Sequence, residues 1–263
     1  MNEILRITTE TLSYTTPEGL KMQGYYCRPI DAPNELSGVL VAAEWWGLSE
    51  HAKRSAERLA QAGYAALVMD VYGEGRFTSD AKQAGEWMNA VLADPAILTE
   101  RTNLAFETLV AQPKVNPLSI GAIGFCFGGK VVLDMARRGV DLKAVASFHG
   151  NLTPAIPALE GFVKGEILIE HAGLDTMVSA ESLEAFKREM EAAKVRYHVD
   201  VFPEAKHGFT NPQATENGEK NGVDLAYNAE AAAAAVNARA ICHSFAAILS
   251  LRNDKTFTKH AKI

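Results

Sequence analysis

The stretch Ile123-Gly124-Phe125-Cys126-Phe127-Gly128-Gly129 decides the fold of this chain. It has the form of a nucleophile elbow, in which a buried strand turns sharply into a helix and presents the residue at the tip. Here the tip residue is Cys126, and glycines stand at positions where the tight turn leaves no room for a Cβ atom. Residues 119–125 form an apolar run and residues 129–138 have helical spacing. The sequence therefore predicts the strand, the turn and the helix.

The alternative interpretation of a cysteine in an apolar strand is a small core residue, because free cysteine is among the most buried residue types. We interpret Cys27 and Cys242 in that way. The flanking glycines favour a nucleophile at Cys126 instead. The three cysteines are widely spaced and show neither a disulfide framework nor metal-ligand spacing. We expect no metal and no organic cofactor.

Composition indicates an ordinary globular protein. The chain has 263 residues, of which 48% are hydrophobic and 22% charged, and we expect one domain over residues 1–251 with a polar tail over 252–263. The net charge of -6 argues against nucleic acid or an anionic membrane as a partner. No apolar run reaches the ~20 residues of a membrane span, and the first residues do not resemble a signal peptide. We expect a cytoplasmic monomer or small homo-oligomer.

The order of strands and helices predicts a mostly parallel sheet. Residues 4–28 alternate as two antiparallel strands with a turn at Pro17-Glu18-Gly19. Continuous apolar strands then alternate with helices, which is typical of a parallel sheet covered on both faces. Strands are predicted at 38–43, 64–69, 119–125, 143–148, 166–170 and 196–202, and helices at 50–62, 80–93, 99–112, 129–138, 180–193 and 226–251. The last helix carries Val236, Ile241, Phe245 and Ile248 on one face, and residues 210–224 are predicted to be a polar surface loop.

A cysteine nucleophile needs a base, and the base needs an orienting group. In an α/β-hydrolase these partners follow in the order nucleophile, acid, histidine, each in a loop after a strand. Asp175 lies after the strand at 166–170, and His207 lies after the strand at 196–202. An isolated Asp before a helix is commonly a cap, and a lone surface histidine is commonly structural. The order and the loop positions favour Asp175 and His207 over the competing imidazoles, which are His149, His171 and His198.

The segment Glu44-Trp45-Trp46-Gly47 follows the strand at 38–43. In this fold a backbone N–H at that place and the N–H after the nucleophile form the oxyanion hole, which predicts Trp45 and Phe127 as its donors. A carboxylate at Glu44 beside the thiol would raise the pKa of the thiol. The alternatives are an exposed loop carboxylate at Glu44 and tryptophans that serve only as pocket wall.

These residues give the chain a resemblance to the dienelactone hydrolase family of α/β-hydrolases, over roughly residues 10–250. The resemblance rests on several motifs: Glu44-Trp45-Trp46-Gly47, Asp70-Val71-Tyr72-Gly73, Gly124-Phe125-Cys126-Phe127-Gly128-Gly129, Gly173-Leu174-Asp175 and His207-Gly208-Phe209. It implies an α/β-hydrolase fold with a mostly parallel sheet of about eight strands. It also implies a catalytic triad of Cys126, His207 and Asp175, and a glutamate at Glu44 that bonds the resting thiol and swings away when substrate binds.

The chain departs from the family where substrate is bound. Dienelactone-cleaving members use two arginines to hold a substrate carboxylate, whereas this chain has Asn211 at one position and Arg76 at a shifted spacing for the other. We therefore predict a small uncharged ester or lactone as substrate, cleaved through an acyl-enzyme. The alternatives are a thioesterase, a peptidase, an acyltransferase or a non-catalytic ligand-binding homologue. The candidate substrate-binding residues are Trp46, Tyr72, Arg76, Phe209, Asn211 and His149.

Overall fold

The computed structural model of the chain describes residues 5–32 and 35–236. The strands are β1 Ile7–Thr15, β2 Lys21–Pro29, β3 Leu36–Ala42, β4 Ala65–Met69, β5 Val115–Phe125, β6 Ala144–Phe148, β7 Glu166–Ala172 and β8 Tyr197–Phe202. The helices are α1 Glu50–Gln61, α2 Ala81–Leu92, α3 Pro95–Val110, α4 Phe127–Arg137, α5 Ala180–Ala192, α6 Ala214–Asn221 and α7 Ala229–Val236. Each predicted strand and helix of the alternating region has an observed counterpart among the described residues.

The eight strands form one sheet in the order β1-β2-β4-β3-β5-β6-β7-β8. β1 pairs antiparallel with β2, and β2 antiparallel with β4, while every pair from β4 through β8 is parallel. The carboxyl ends of β3 to β8 therefore lie at one edge of the sheet. The loops that leave this edge carry all the candidate site residues.

Helices cover both faces of the sheet because successive strand residues point to opposite sides. On β3, Leu40 belongs to the core under α3, α4 and α5, whereas Val39 and Val41 belong to the core under α1 and α7. Cys27 is completely buried in this second core, as expected for a space-filling cysteine. The mostly parallel sheet with helices on both faces is confirmed.

The surface loop predicted over residues 210–224 is wrong in part. α6 lies within it and is capped by Gly222, which has a left-handed backbone with φ of 65°. The segment folds back on itself, since Ala226 N donates to His207 O and Asn228 N donates to Phe209 O, and this buries Asn211. Most residues of α6 are polar. The segment therefore lacks the periodic apolar stripe by which a helix is recognised in a sequence.

Part of the C-terminal prediction lies outside the described residues. The observed α7 corresponds to the first part of the helix predicted at 226–251. The described residues do not include Ile241, Cys242, Phe245, Ile248 or the tail at 252–263. The single domain over residues 1–251 stays a prediction. Within the described ranges, no helix combines the length and the apolar character needed to cross a membrane.

Candidate active site

The turn from β5 into α4 has the strained backbone of an elbow. Cys126 stands at its tip with φ of 54° and ψ of -117°, a conformation that side chains other than glycine rarely adopt. A Cβ on Gly124 would lie 2.0 Å from the carbonyl oxygen of Gly128, and a Cβ on Gly128 would lie 2.1 Å from that of Ala42. Both glycines are therefore required by backbone packing. The strained conformation of Cys126 is stabilised by its backbone N–H, which donates a hydrogen bond to Phe148 O at 3.0 Å.

The thiol of Cys126 lies at the start of a helix. Cys126 is the N-terminal flanking residue of α4, so the positive end of the helix dipole faces the site. Cys126 is half-buried, so part of the residue is accessible to solvent. An accessible thiol at a helix N-terminus is a suitable nucleophile.

The loops after β7 and β8 are bonded to each other, and this brings Asp175 to His207. Gly173 N donates to Phe202 O at 2.8 Å. A Cβ on Gly173 would lie 2.7 Å from backbone atoms of Pro203, so the close approach of the two loops needs a glycine here. The two predicted partners of the nucleophile consequently meet, although 32 positions separate them in the chain.

The carboxylate of Asp175 has a separate partner for each oxygen. Oδ2 accepts a hydrogen bond from Nδ1 of His207 at 2.8 Å. Oδ1 accepts from the backbone N–H groups of Met177 at 2.8 Å and Val178 at 3.0 Å. The backbone bonds fix the rotation of the carboxylate, and the carboxylate fixes the proton of His207 on Nδ1.

The imidazole of His207 is buried, and its other nitrogen faces the nucleophile. Burial alone would lower the pKa of His207, but the charge of Cys126 and the hydrogen bond to Asp175 outweigh it and raise the pKa to about 10. Nε2 makes no hydrogen bond of ordinary geometry within the described residues. The nitrogen that would exchange a proton with the thiol is therefore free to do so.

Glu44 lies just beyond the end of β3 with its carboxylate buried. Its Oε2 accepts a hydrogen bond from Nδ2 of Asn211 at 2.7 Å and lies 3.5 Å from Nδ1 of His51. The ring of His51 packs edge-on against Phe125, the residue before the nucleophile, at a centroid distance of 4.6 Å. Asn211 thus holds the Glu44 carboxylate, and His51 lies between that carboxylate and the ring of Phe125.

Aromatic rings surround the elbow on the side of β4. The hydroxyl of Tyr72 donates to the carbonyl oxygen of Trp45 at 3.0 Å, and its ring is stacked on Phe127. Burial raises the pKa of Tyr72, and a charge on Cys126 raises it further. The ring of Trp87 lies 5.6 Å from that of Tyr72. The predicted oxyanion-hole residues therefore belong to one aromatic cluster.

His149 lies beneath His207. Its ring is completely buried, and the centroids of the His149 and His207 rings are 5.2 Å apart. Nε2 of His149 lies 2.8 Å from Oγ1 of Thr210. Burial lowers the pKa of His149 well below its usual value, and the neighbouring His207 and His51 lower it further. A neutral imidazole at His149 supports the ring of His207 without adding charge.

The remaining candidate residues make contacts of other kinds. Arg76 is bonded to the carboxylate of Glu74 at 2.5 Å and lies over the ring of Trp87. Trp46 is buried and borders a cavity of about 160 Å³ on the α6 side. Phe209 has no exposed surface and belongs to the core under α1 and α7.

Comparison with known proteins identifies the family. The model of the dienelactone hydrolase family matches residues 22–247, which is most of the chain. The chain belongs to the dienelactone hydrolase family. A carboxymethylenebutenolidase-like protein of Escherichia coli O157:H7 is 28% identical over 203 residues, covering 73% of this chain and 74% of that protein. A similarly named protein of Synechocystis sp. is 28% identical over 246 residues, covering 87% and 94%.

Solved structures agree with the family and confirm the α/β-hydrolase fold. The crystal structure of a dienelactone-hydrolase-like promiscuous phosphotriesterase from metagenomic libraries has a TM-score of 0.84 and 32% identity, covering 92% of this chain and 98% of that one. A dienelactone-hydrolase-like protein of Klebsiella pneumoniae subsp. pneumoniae has a TM-score of 0.74 at 21% identity, covering 92% and 99%, and shares the fold. The resemblance inferred from the motifs is thus confirmed, and so is the hydrolase class, which acts on esters or lactones.

In this dienelactone hydrolase family member, residues that the sequence did not single out also lie beside the candidate site. His51 is buried beside Glu44, and its signal was present, since His51, Ala52, Ser55, Ala56 and Leu59 share the sheet-facing side of α1. Thr210 beside His149 and Trp87 beside Tyr72 left no comparable signal. Their partners lie in other loops, and spacing along the chain does not reveal them.

Proposed function

We propose that this protein hydrolyses a small uncharged ester or lactone through an acyl-enzyme on Cys126. The observation that carries the proposal is the geometry of His207. Its Nδ1 is held by Asp175 at 2.8 Å, while the charge of Cys126 acts from the other side of the ring. This geometry supports Cys126 as nucleophile, His207 as base and Asp175 as the acid that orients the base.

In the acylation step the thiolate of Cys126 attacks the carbonyl carbon. The carbonyl oxygen becomes an oxyanion that accepts hydrogen bonds from the backbone N–H groups of Trp45 and Phe127. When the tetrahedral intermediate collapses, Nε2 of His207 gives its proton to the leaving oxygen and the C–O bond breaks. The acyl group remains on the sulfur as a thioester.

In the deacylation step His207 takes a proton from water, and the hydroxide attacks the thioester. The second tetrahedral intermediate uses the same N–H groups and expels the thiolate. The products are a carboxylic acid and the free enzyme, with His207 again protonated beside the thiolate. Asp175 stabilises the imidazolium in both steps through its bond to Nδ1.

Glu44 has a regulatory role in this proposal. The carboxylate is bonded to Asn211, and we assign this arrangement to the released position, in which Cys126 pairs with His207. A Glu44 side chain rotated toward the thiol would instead place a like charge beside Cys126 and suppress its reactivity. Asn211 then serves to receive the carboxylate and not to clamp a substrate.

The preference for uncharged substrates follows from how the polar groups near the site are used. Asn211 is neutral, and its amide donates to Glu44. The guanidinium of Arg76 is already bonded to Glu74. A substrate carboxylate would have to break one of these interactions, and it would also meet the negative charges of Glu44 and Cys126.

A second candidate reaction is hydrolysis of a phosphotriester. The favouring observation is the same pairing of Arg76 with Glu74, because a phosphotriester is also an uncharged electrophile and needs no guanidinium to bind it. The 32% identical structure is described as a promiscuous phosphotriesterase. Release of 4-nitrophenolate from paraoxon by the wild type, lost in Cys126→Ala, would support this reaction, and no release above buffer would exclude it.

The test compares kcat/KM for two 4-nitrophenyl esters of equal length, one ending in a methyl group and one in a carboxylate. We expect the neutral ester to be preferred by about tenfold or more, since each unfavourable charge contact costs on the order of 1 kcal/mol or more. Cys126→Ala should have no measurable turnover. Near-wild-type turnover by that variant would refute the nucleophile.

Two arginine variants make the test specific. Arg76→Ala should leave the preference unchanged, as should Arg6→Ala, a matched control for an exposed arginine paired with a carboxylate. If the wild type prefers the anionic ester and Arg76→Ala alone abolishes that preference, Arg76 binds the substrate and the proposed specificity is wrong.

A further inference from the structure

We infer that Tyr72 is a positioning residue that sets the distance between the two N–H donors of the oxyanion hole. The inference rests on the proposed function, because Trp45 and Phe127 are the donors assigned there. Tyr72 contacts both of these residues directly, one through its hydroxyl and the other through its ring. Its side chain therefore bridges the loop after β3 and the start of α4.

The hydroxyl contact fixes the turn that carries Trp45. This turn is closed by Gly47 N, which donates to Glu44 O at 3.2 Å. At its outer edge, the carbonyl oxygen of Trp45 accepts the Tyr72 hydroxyl at 3.0 Å. The carbonyl of Trp45 is joined to its N–H through a single Cα, so holding the carbonyl limits how far the N–H can move.

The ring contact fixes the first residue of α4. The rings of Tyr72 and Phe127 are nearly parallel, with an interplanar angle of 4° and centroids 6.1 Å apart. Phe127 is buried, so its ring has little freedom to move. Because Phe127 directly follows the nucleophile, a shift of its ring would also move the N–H that faces the oxyanion.

Tyr72 can act as a spacer because its own backbone is rigidly held. The buried carboxylate of Asp70 accepts hydrogen bonds from four backbone N–H groups, those of Gln23, Tyr72, Gly73 and Gly75, at 2.7 to 3.1 Å. These bonds tie the loop after β4 to β2. The tyrosine is therefore anchored independently of the two residues that it positions.

The hydroxyl of Tyr72 remains a donor throughout the reaction. Burial and the nearby charge of Cys126 both raise the pKa of Tyr72, so it does not ionise when the thiolate forms. Its proton is directed at the Trp45 carbonyl and not at the substrate. This separates a positioning role from that of a general acid.

The experiment uses Tyr72→Phe, which keeps the ring and removes the hydroxyl, and Tyr72→Leu, which removes both contacts. For the neutral 4-nitrophenyl ester we expect kcat to fall about tenfold in Tyr72→Phe and further in Tyr72→Leu, with KM changed less than twofold. Direct removal of an oxyanion donor costs about 10²–10³ in kcat, and an indirect effect should be smaller. Tyr26→Phe is the matched control, since the buried Tyr26 hydroxyl has no hydrogen-bond partner within the described residues.

Two further readouts distinguish positioning from general damage. Affinity for a trifluoromethyl ketone, which forms a tetrahedral adduct on the thiol, should fall by the same factor as kcat. Alkylation of Cys126 by iodoacetamide forms no oxyanion and should stay within twofold of wild type. Equal loss in all three measurements, or a rise in KM alone, would overturn the inference. Failure of the proposed function would appear separately, as turnover that survives Cys126→Ala.

Discussion

Replacing Asp175 with Asn should invert the proton position on His207. Oδ1 of Asp175 is occupied by the backbone N–H groups of Met177 and Val178, so an asparagine oxygen must take that place. The NH₂ group of the asparagine then faces Nδ1 of His207. Nδ1 must become an acceptor, which moves the proton to Nε2 and leaves that nitrogen unable to take a proton from the thiol or from water.

The magnitude follows from the bond that is lost. A buried hydrogen bond between charged groups contributes about 1.5–3 kcal/mol, and one pKa unit corresponds to about 1.4 kcal/mol. The His207 imidazolium, with a pKa raised to about 10, should therefore lose at least about 1–2 units. Because the imidazolium is the acid in the proposed acylation step, activity should fall as pH rises through this pKa. The inverted tautomer should lower kcat by about 10³–10⁴.

The assay is kcat/KM for the neutral 4-nitrophenyl ester from pH 5 to 11, with thermal unfolding to verify the fold. The upper limb of the profile should move from about pH 10 to about pH 9 or below in Asp175→Asn. Asp224→Asn is the matched control, since Asp224 is an exposed carboxylate bonded to Thr176 and Lys206 in the same loops. An unchanged upper limb, or activity within tenfold of wild type, would refute the triad.

Two other predictions concern the neighbours of the elbow. Glu44→Gln keeps an acceptor for Asn211 but removes the charge. The thiol should therefore react with iodoacetamide at lower pH than in wild type. Equal or slower alkylation at every pH would show that Glu44 does not affect the thiol. Gly128→Ala places a Cβ 2.1 Å from Ala42 O, and we expect it to lower Tm by several degrees, at about 1–3 kcal/mol. Gly85→Ala in α2, where the added Cβ would meet no described atom closer than 3.8 Å, is its control, and equal losses would contradict the steric argument.

The fold could be predicted from the sequence because its strands are read from local patterns. Apolar runs such as residues 38–43 and 64–69 fall within one or two residues of β3 and β4. α6 could not be predicted in this way, since its eight residues are mostly polar and its stability comes from the chain folding back over His207. Local patterning identifies elements that bury an apolar face and misses those held by backbone contacts.

The candidate site was predictable to the extent that each residue follows a strand. Cys126, Asp175 and His207 come after β5, β7 and β8, and the parallel direction of these strands sends them to one edge without further information. Spacing along the chain does not predict which of these side chains are in contact or through which atoms, because that depends on side-chain geometry.

The bridge made by Tyr72 shows why strand order matters more than chain order for this site. β4 precedes β5 in the chain, yet β3 lies between them in the sheet. The loop after β4 can therefore reach across the end of β3 to contact both Trp45 and Phe127. The sequence predicts that Tyr72 follows a strand, but it does not predict which residues lie next to Tyr72. Those neighbours depend on the order of the strands in the sheet, and the same sequence pattern is compatible with many strand orders. The order β4-β3-β5 brings one tyrosine into contact with both Trp45 and Phe127, the two proposed donors.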